Sequence, residues 1–222
     1  MVADIRDCEQ CSTAFAPRRE HARFCSAPCR AAWNREHLGD PAAGVSALRW
    51  SITAMSETTG RLPKVRAANL PRAFAVIGEA VWWVTIVDAT LVRHHPEAYD
   101  AVMAGQSGPR QQLIEGTLAG LRFVRNRIGD EADLADFIDP SMAGSVAGEM
   151  RITDWRWWPV PEPGLASLPP RGQAWEISRY RAYQAHLAGH NIAESFGQAA
   201  EFLKLARAAA SQITGTGAPA VR

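Results

Sequence analysis

Four cysteines in two tight pairs constrain this chain more than any other feature. They are Cys8-Glu9-Gln10-Cys11 and, after a gap of thirteen residues, Cys25-Ser26-Ala27-Pro28-Cys29, and the sequence has no others. The gap is long enough for a hairpin that folds back and brings both pairs onto one ion, as tetrahedral zinc requires. Cys8 and Cys11 would form a knuckle whose amides point at the sulfurs, with Phe15 and Pro17 starting a short hairpin. Cys25 and Cys29 stand four apart, on one side of a helical turn. The second pair is therefore expected in the first turn of a helix running through Trp33 to His37. That arrangement is a treble clef. A closed tetrathiolate site keeps no position for substrate water, so the expected Zn2+ is structural.

Further residues around the cysteines extend the pattern. Cys8-x-x-Cys11, Phe15-x-Pro17 and Arg23-Phe24-Cys25-Ser26-x-x-Cys29-Arg30, followed by Trp33 and Arg35, resemble the small FCS-like treble-clef zinc fingers of many bacterial proteins. The resemblance covers about one seventh of the chain. It implies zinc on Cys8, Cys11, Cys25 and Cys29 and, in many such fingers, contact with DNA or RNA. Arg18, Arg19, Arg23, Arg30 and Arg35 would make that contact, against an offset from Glu9, Glu20 and Glu36. One departure is Ser12, where such fingers commonly carry glycine. The plainer alternative is that the site is only a folding device for a segment too short to build a core.

A chain of 222 residues leaves about 180 after the finger, enough for one domain with a real core. The formal charge of +1 argues against coating nucleic acid or an anionic membrane by bulk electrostatics. With every cysteine spent on one site, none remains for disulfides, as suits a reducing compartment. The N-terminal residues contain no apolar run of the signal-peptide kind. The most membrane-like segment, Ala73 to Val92, is interrupted by Glu79 and Asp88 and reads better as a buried helix than as a span. A cytoplasmic protein without membrane partners is expected.

The fold class expected is mainly α: a small treble-clef finger over residues 1–38, a linker over 39–45, a bundle-like helical domain over 46–213 and a flexible tail over 214–222. Helices are expected at 46–57, at 71–93 after Pro71, at 96–103 after Pro96, and at 110–128 after the Gly105–Pro109 turn. A possible turn of helix falls at 132–138. A short extended segment rich in tryptophan follows at 151–159, then a proline-rich loop. Two helices close the chain, the second capped by Asn191 with Glu194 three residues on. In the longest helix Trp82, Trp83 and Ile86 extend the apolar character to every face, and Asp88 lies on its buried stripe. Arg125 lies on the corresponding stripe of the 110–128 helix. A buried pair of Asp88 with Arg125 or Arg122 follows, fixing helix register.

The segment from Gly120 to Asp130, with Arg125-Asn126 at its centre, resembles the signature of HEPN-type helical domains. In that family a histidine follows the arginine at the fifth position and serves metal-independent RNA cleavage. Here the position holds Asp130, which at neutral pH donates a proton poorly and repels phosphate. Arg181 and His186 satisfy the spacing but diverge around a helix, so His186 reads as a surface or cap-region residue. Glycine-rich phosphate loops, nucleophile elbows and zinc-protease helices are absent from the sequence. The functional expectation is a nucleic-acid-binding or regulatory adaptor, more a binder than an enzyme, able to homodimerise through its helical domain. A degenerate HEPN-like ribonuclease and a protein-interaction module with a purely structural finger are the alternatives.

Overall fold

The structure, a computed structural model, describes residues 5–17, 22–37, 41–64, 70–128, 134–139, 155–164 and 170–215. The chain divides after Ala47 into two compact units. The first is small: strands β1 (Arg6–Asp7) and β2 (Ala14–Phe15) pair antiparallel, Arg6 opposite Phe15, and helix α1 spans Ala27–His37. Ser26 caps α1, its hydroxyl accepting from the Cys29 amide at 3.3 Å.

Helix α2 runs from Pro41 to Arg61. It begins inside the segment expected as a linker, because proline fits the first helical turn as well as it fits a loop. It also passes through Thr58 and Thr59, expected to end it. Their hydroxyls bond back to the carbonyls of Ala54 and Met55 at 2.8 Å each, which keeps both residues helical. A 3-10 turn, Leu62–Lys64, follows.

The second unit is built round α3 (Leu70–His94), which packs on α4 (Pro96–Ala104), α5 (Gly108–Arg127) and, through its other buried flank, α7 (Ile192–Gly215). Ile77, Val81, Val84 and Leu91 of α3 are buried, as their helical spacing requires. This helix is long and apolar enough to cross a bilayer, yet half of its most apolar window is buried inside the fold. The outer part of the helix departs from the expectation: Trp82 is half exposed. Asn191 caps α7 as its sequence signal implies, accepting from the Glu194 amide at 3.1 Å.

The most extensive helix pairing is between α5 and α6 (Pro170–His186). Two glycines on α5 make it close. A Cβ on Gly120 would sit 2.8 Å from Leu187 and 3.1 Å from the Tyr183 Cα, and one on Gly116 would sit 2.1 Å from the His186 ring. His186 ends α6, the cap-region place that is one of its two expected settings, and its ring lies against α5 and not on the free surface. Phe123 of α5 meets Tyr180 and Tyr183 of α6 and Phe137 at centroid separations of 5.5–6.1 Å.

The tryptophan-rich segment closes this unit. A 3-10 turn (Leu134–Phe137) leads to β3 (Ile138–Asp139), which pairs antiparallel with β4 (Arg156–Trp157). Trp155 and Trp157 are fully buried. The Trp157 amide donates to His190 O at 3.0 Å, and its indole reaches the Ser195 hydroxyl at 3.2 Å. Gln184 and Tyr180 of α6 then bind the Val160 carbonyl, fastening the proline-containing segment to the helix. These tryptophans cover the core. Residues 151–154 and those after Gly215, part of the expected extended segment and tail, lie outside the described residues.

Candidate metal centre

The knuckle at Cys8–Cys11 is set by backbone bonds. Cys8 N–H donates to Thr13 O at 3.0 Å, and Ser12 N–H donates back to Cys8 O at 2.8 Å. To close this turn Ser12 adopts a φ of 55°, the left-handed region that glycine enters without cost. The position where the resemblance would place glycine is thus the one where the backbone asks for it. Glu9 N–H to Arg23 O, 3.1 Å, ties the knuckle to the strand of chain that carries Cys25. Ser26 then caps α1, so Cys29 falls in its first turn and Cys25 just before the cap, at the helix N-terminus whose dipole favours thiolates.

Backbone and helix together bring Cys8, Cys11, Cys25 and Cys29 into one cluster, all four sulfurs within 4.8 Å of one another. Three of the edges are short: Cys11 to Cys25 is 3.7 Å, Cys25 to Cys29 is 3.5 Å and Cys29 to Cys11 is 3.7 Å. Metal–sulfur bonds of about 2.3 Å in a tetrahedron place sulfurs about 3.8 Å apart, whereas a disulfide would draw two of them to about 2.05 Å. The cysteines are free of disulfides. The cluster has the shape of a four-thiolate metal site.

The electrostatics agree. Burial raises the Cys8 thiol, but backbone N–H groups at Cys25, Cys11 and Gln10 outweigh it and hold Cys8 down at about 6. The Thr13 side chain and amide lower Cys11. Cys25 is pushed up to about 12, first by its bond to Cys29, because a second and third negative sulfur beside the first are opposed by the charge already there. Four thiolates at these separations call for a cation at their centre.

The arginines proposed for contact with nucleic acid separate into two kinds. Arg23 is committed within the finger: both its Nε, at 2.6 Å, and its Nη2 meet the Glu9 carboxylate. Its guanidinium also stacks 4.8 Å from the Trp33 ring, which packs on Phe24 at 5.6 Å. Arg30 is exposed on α1. Arg18, Arg19 and the side chain of Arg35 lie outside the described residues. Arg23 and Glu9 form a bidentate brace that the composition did not reveal, although a basic residue beside the second pair and an acid within the first were both legible.

In the helical unit, Asp88 is fully buried and Arg122 is its partner, Nε at 2.6 Å and Nη2 also bonded. Tyr99 of α4 donates to the other carboxylate oxygen at 3.0 Å, so one buried acid ties α3, α4 and α5 together. Burial pushes Asp88 up against the opposing pull of Arg122 and Tyr99, and it drives the Tyr99 phenol well above its ordinary range. Arg125 does not join the pair; its guanidinium lies 4.7 Å from the Trp82 ring. Asn126 turns the other way and meets Glu176 of α6 at 3.4 Å. Arg122, Arg125 and Asn126 thus neither converge on one open cleft nor vanish into the core. Asp130 lies outside the described residues.

Fold and cluster together define a mainly helical protein carrying an N-terminal four-cysteine, zinc-finger-like site. No family model, no curated protein and no solved structure matches the chain.

Proposed function

We propose that this chain is a cytoplasmic zinc-finger adaptor: Cys8, Cys11, Cys25 and Cys29 hold a structural Zn2+, the finger contacts DNA or RNA, and the helical domain docks or dimerises. The observation that carries the metal reading is the set of 3.5–3.7 Å sulfur separations, which fit the edges of a zinc tetrathiolate. Zinc is favoured because soft thiolates in tetrahedral array select it over magnesium, calcium or manganese. When bound, the ion supplies charge balance and a cross-link and leaves no site for a reacting water. The protein's own residues do the rest. Ser26 starts the helix that aligns Cys25 and Cys29, and Arg23 with Glu9 braces the two halves of the finger.

Contact with nucleic acid rests on the basic side chains of the finger. Because Arg23 is committed to Glu9, the contact falls to Arg18, Arg19, Arg30 and Arg35. The test has two parts. Elemental analysis of the purified chain should give one zinc per protein, lost in Cys25→Ser. Titration of fluorescent DNA and RNA at low salt should show binding that the Arg18/Arg19/Arg30 triple alanine variant loses while keeping its zinc. An inert wild type at low salt contradicts the nucleic-acid reading and leaves the zinc reading standing.

A further inference from the structure

The helical unit carries a second surface of unusual composition. Of its tryptophans, Trp155 and Trp157 are 0% exposed, but Trp50, Trp82 and Trp175 are 66%, 49% and 57% exposed. Contacts and neighbouring positions along the helices link them. Trp50 of α2 meets Trp83 edge-on at a centroid separation of 5.0 Å, and next to Trp83 stands Trp82, covered by Arg125 of α5. Beside Arg125, Asn126 reaches across to Glu176 of α6, which pairs with Arg179 at 3.7 Å. Arg179 in turn lies 5.8 Å from the Trp175 ring.

Helix geometry keeps this path on the outside. On α5, Asn126 is exposed and stands a turn after Arg122, which is a third exposed at the edge of that face. Arg125 flanks them toward α3, while Gly116, Gly120 and Phe123 flank them toward α6. The strip crosses α2, α3, α5 and α6, or roughly 25–30 Å at ordinary helix spacings. Its acids are each paired: Asp88, 0% exposed, with Arg122, Glu176, 6% exposed, with Arg179, and the half-exposed Glu79, one turn before Trp82 and Trp83, with Arg61. Among the described residues Arg125 has no carboxylate partner.

We propose that this strip binds single-stranded nucleic acid, its exposed indoles stacking on bases and Arg125 meeting a phosphate. Flat rings spaced across several helices, with an arginine among them that no acid among the described residues neutralises, offer stacking faces to bases and a charge to a phosphate. A duplex hides its base faces and cannot use the rings. The surface is separate from the finger arginines and does not depend on them.

The test uses the full-length, zinc-loaded chain with fluorescein-labelled ten-nucleotide oligo-dT and oligo-U and a duplex of equal length, at low salt. Single strands should bind and quench tryptophan fluorescence, and the duplex should bind at least about tenfold more weakly. Trp82→Ala and Trp175→Ala should each weaken single-strand binding about tenfold, whereas Leu205→Ala, an exposed apolar residue on α7, should not. Arg125→Gln keeps the arginine's stem and so guards against loss of fold. It should lower the slope of log affinity against log salt by about 0.7. Tighter binding of oligo-U than of oligo-dT, or the reverse, identifies RNA or DNA as the partner. The strip stands if the tryptophan variants lose single-strand binding, whatever the finger triple variant does. It is overturned if wild type ignores single strands, if duplex binds as well, or if only the finger variant loses binding.

Discussion

The finger and the helical unit fold by different means. In the first, among the described residues, Cys8 is the only buried apolar side chain, and four sulfurs meet in place of a core. In the second, α3 buries an aliphatic stripe, and Phe123, Phe137, Tyr183 and Trp157 fill the space beside it. A short segment cannot remove enough apolar surface from water to offset the entropy of ordering its backbone, and a metal held by the four sulfurs would make up the difference. A longer chain can do so by burial alone.

The comparison breaks first at the metal. Removing zinc or replacing Cys25 by serine should cost the finger its whole folding free energy, on the order of 10 kcal/mol. Loss of amide dispersion for residues 5–37 in NMR spectra reports it. The helical unit answers to packing instead. Trp157→Ala, which empties a fully buried indole site and removes the indole's bond to the Ser195 hydroxyl, should destabilise it by about 3–5 kcal/mol in urea melts. Removing one partner of the buried pair comes next. Arg122→Met leaves Asp88 sealed without a counter-charge and should cost about 3 kcal/mol, the low end for such pairs because a third of the Arg122 side chain is exposed. Combining it with Asp88→Leu should recover most of the loss.

Smaller effects sharpen the contrast. Gly120→Ala would press a methyl group onto the Tyr183 backbone, which cannot move aside as a side chain can, and should cost about 1–3 kcal/mol. In the finger the sign reverses. Ser12→Gly relieves a left-handed serine and should strengthen zinc binding about twofold, measured by competition with a chromogenic chelator.

Much of the skeleton was legible because proline, glycine and caps punctuate it. Pro96 and the Asn191–Glu194 signal mark helix starts that the structure keeps, whereas α5 begins at Gly108, two residues before the expected start, and takes Pro109 from the turn into its first turn. The cysteine cluster was legible because its ligands lie close in sequence. What stayed hidden depends on a distant partner. Gly116 and Gly120 look like helix weaknesses until α6 is laid on them. Arg122 and Arg125 were equal choices for Asp88 until α3 and α5 were docked, and they differ by which flank of α5 faces α3. Pro41 is compatible with both linker and helix start, so local chemistry alone could not place the beginning of α2. Trp82 counted as core by hydrophobicity, and only the packing shows its ring lying half in water beneath Arg125.

Hydrogen exchange on the full chain, with and without a strong zinc chelator, addresses the central claim that coordination folds one unit and burial the other. Chelation should abolish protection from Cys8 through α1 and leave the amides of α3, α5, α6 and α7 as protected as before. Protection that persists around Cys8, Cys11, Cys25 and Cys29 without metal, or that collapses across the helical core with it, would contradict the account.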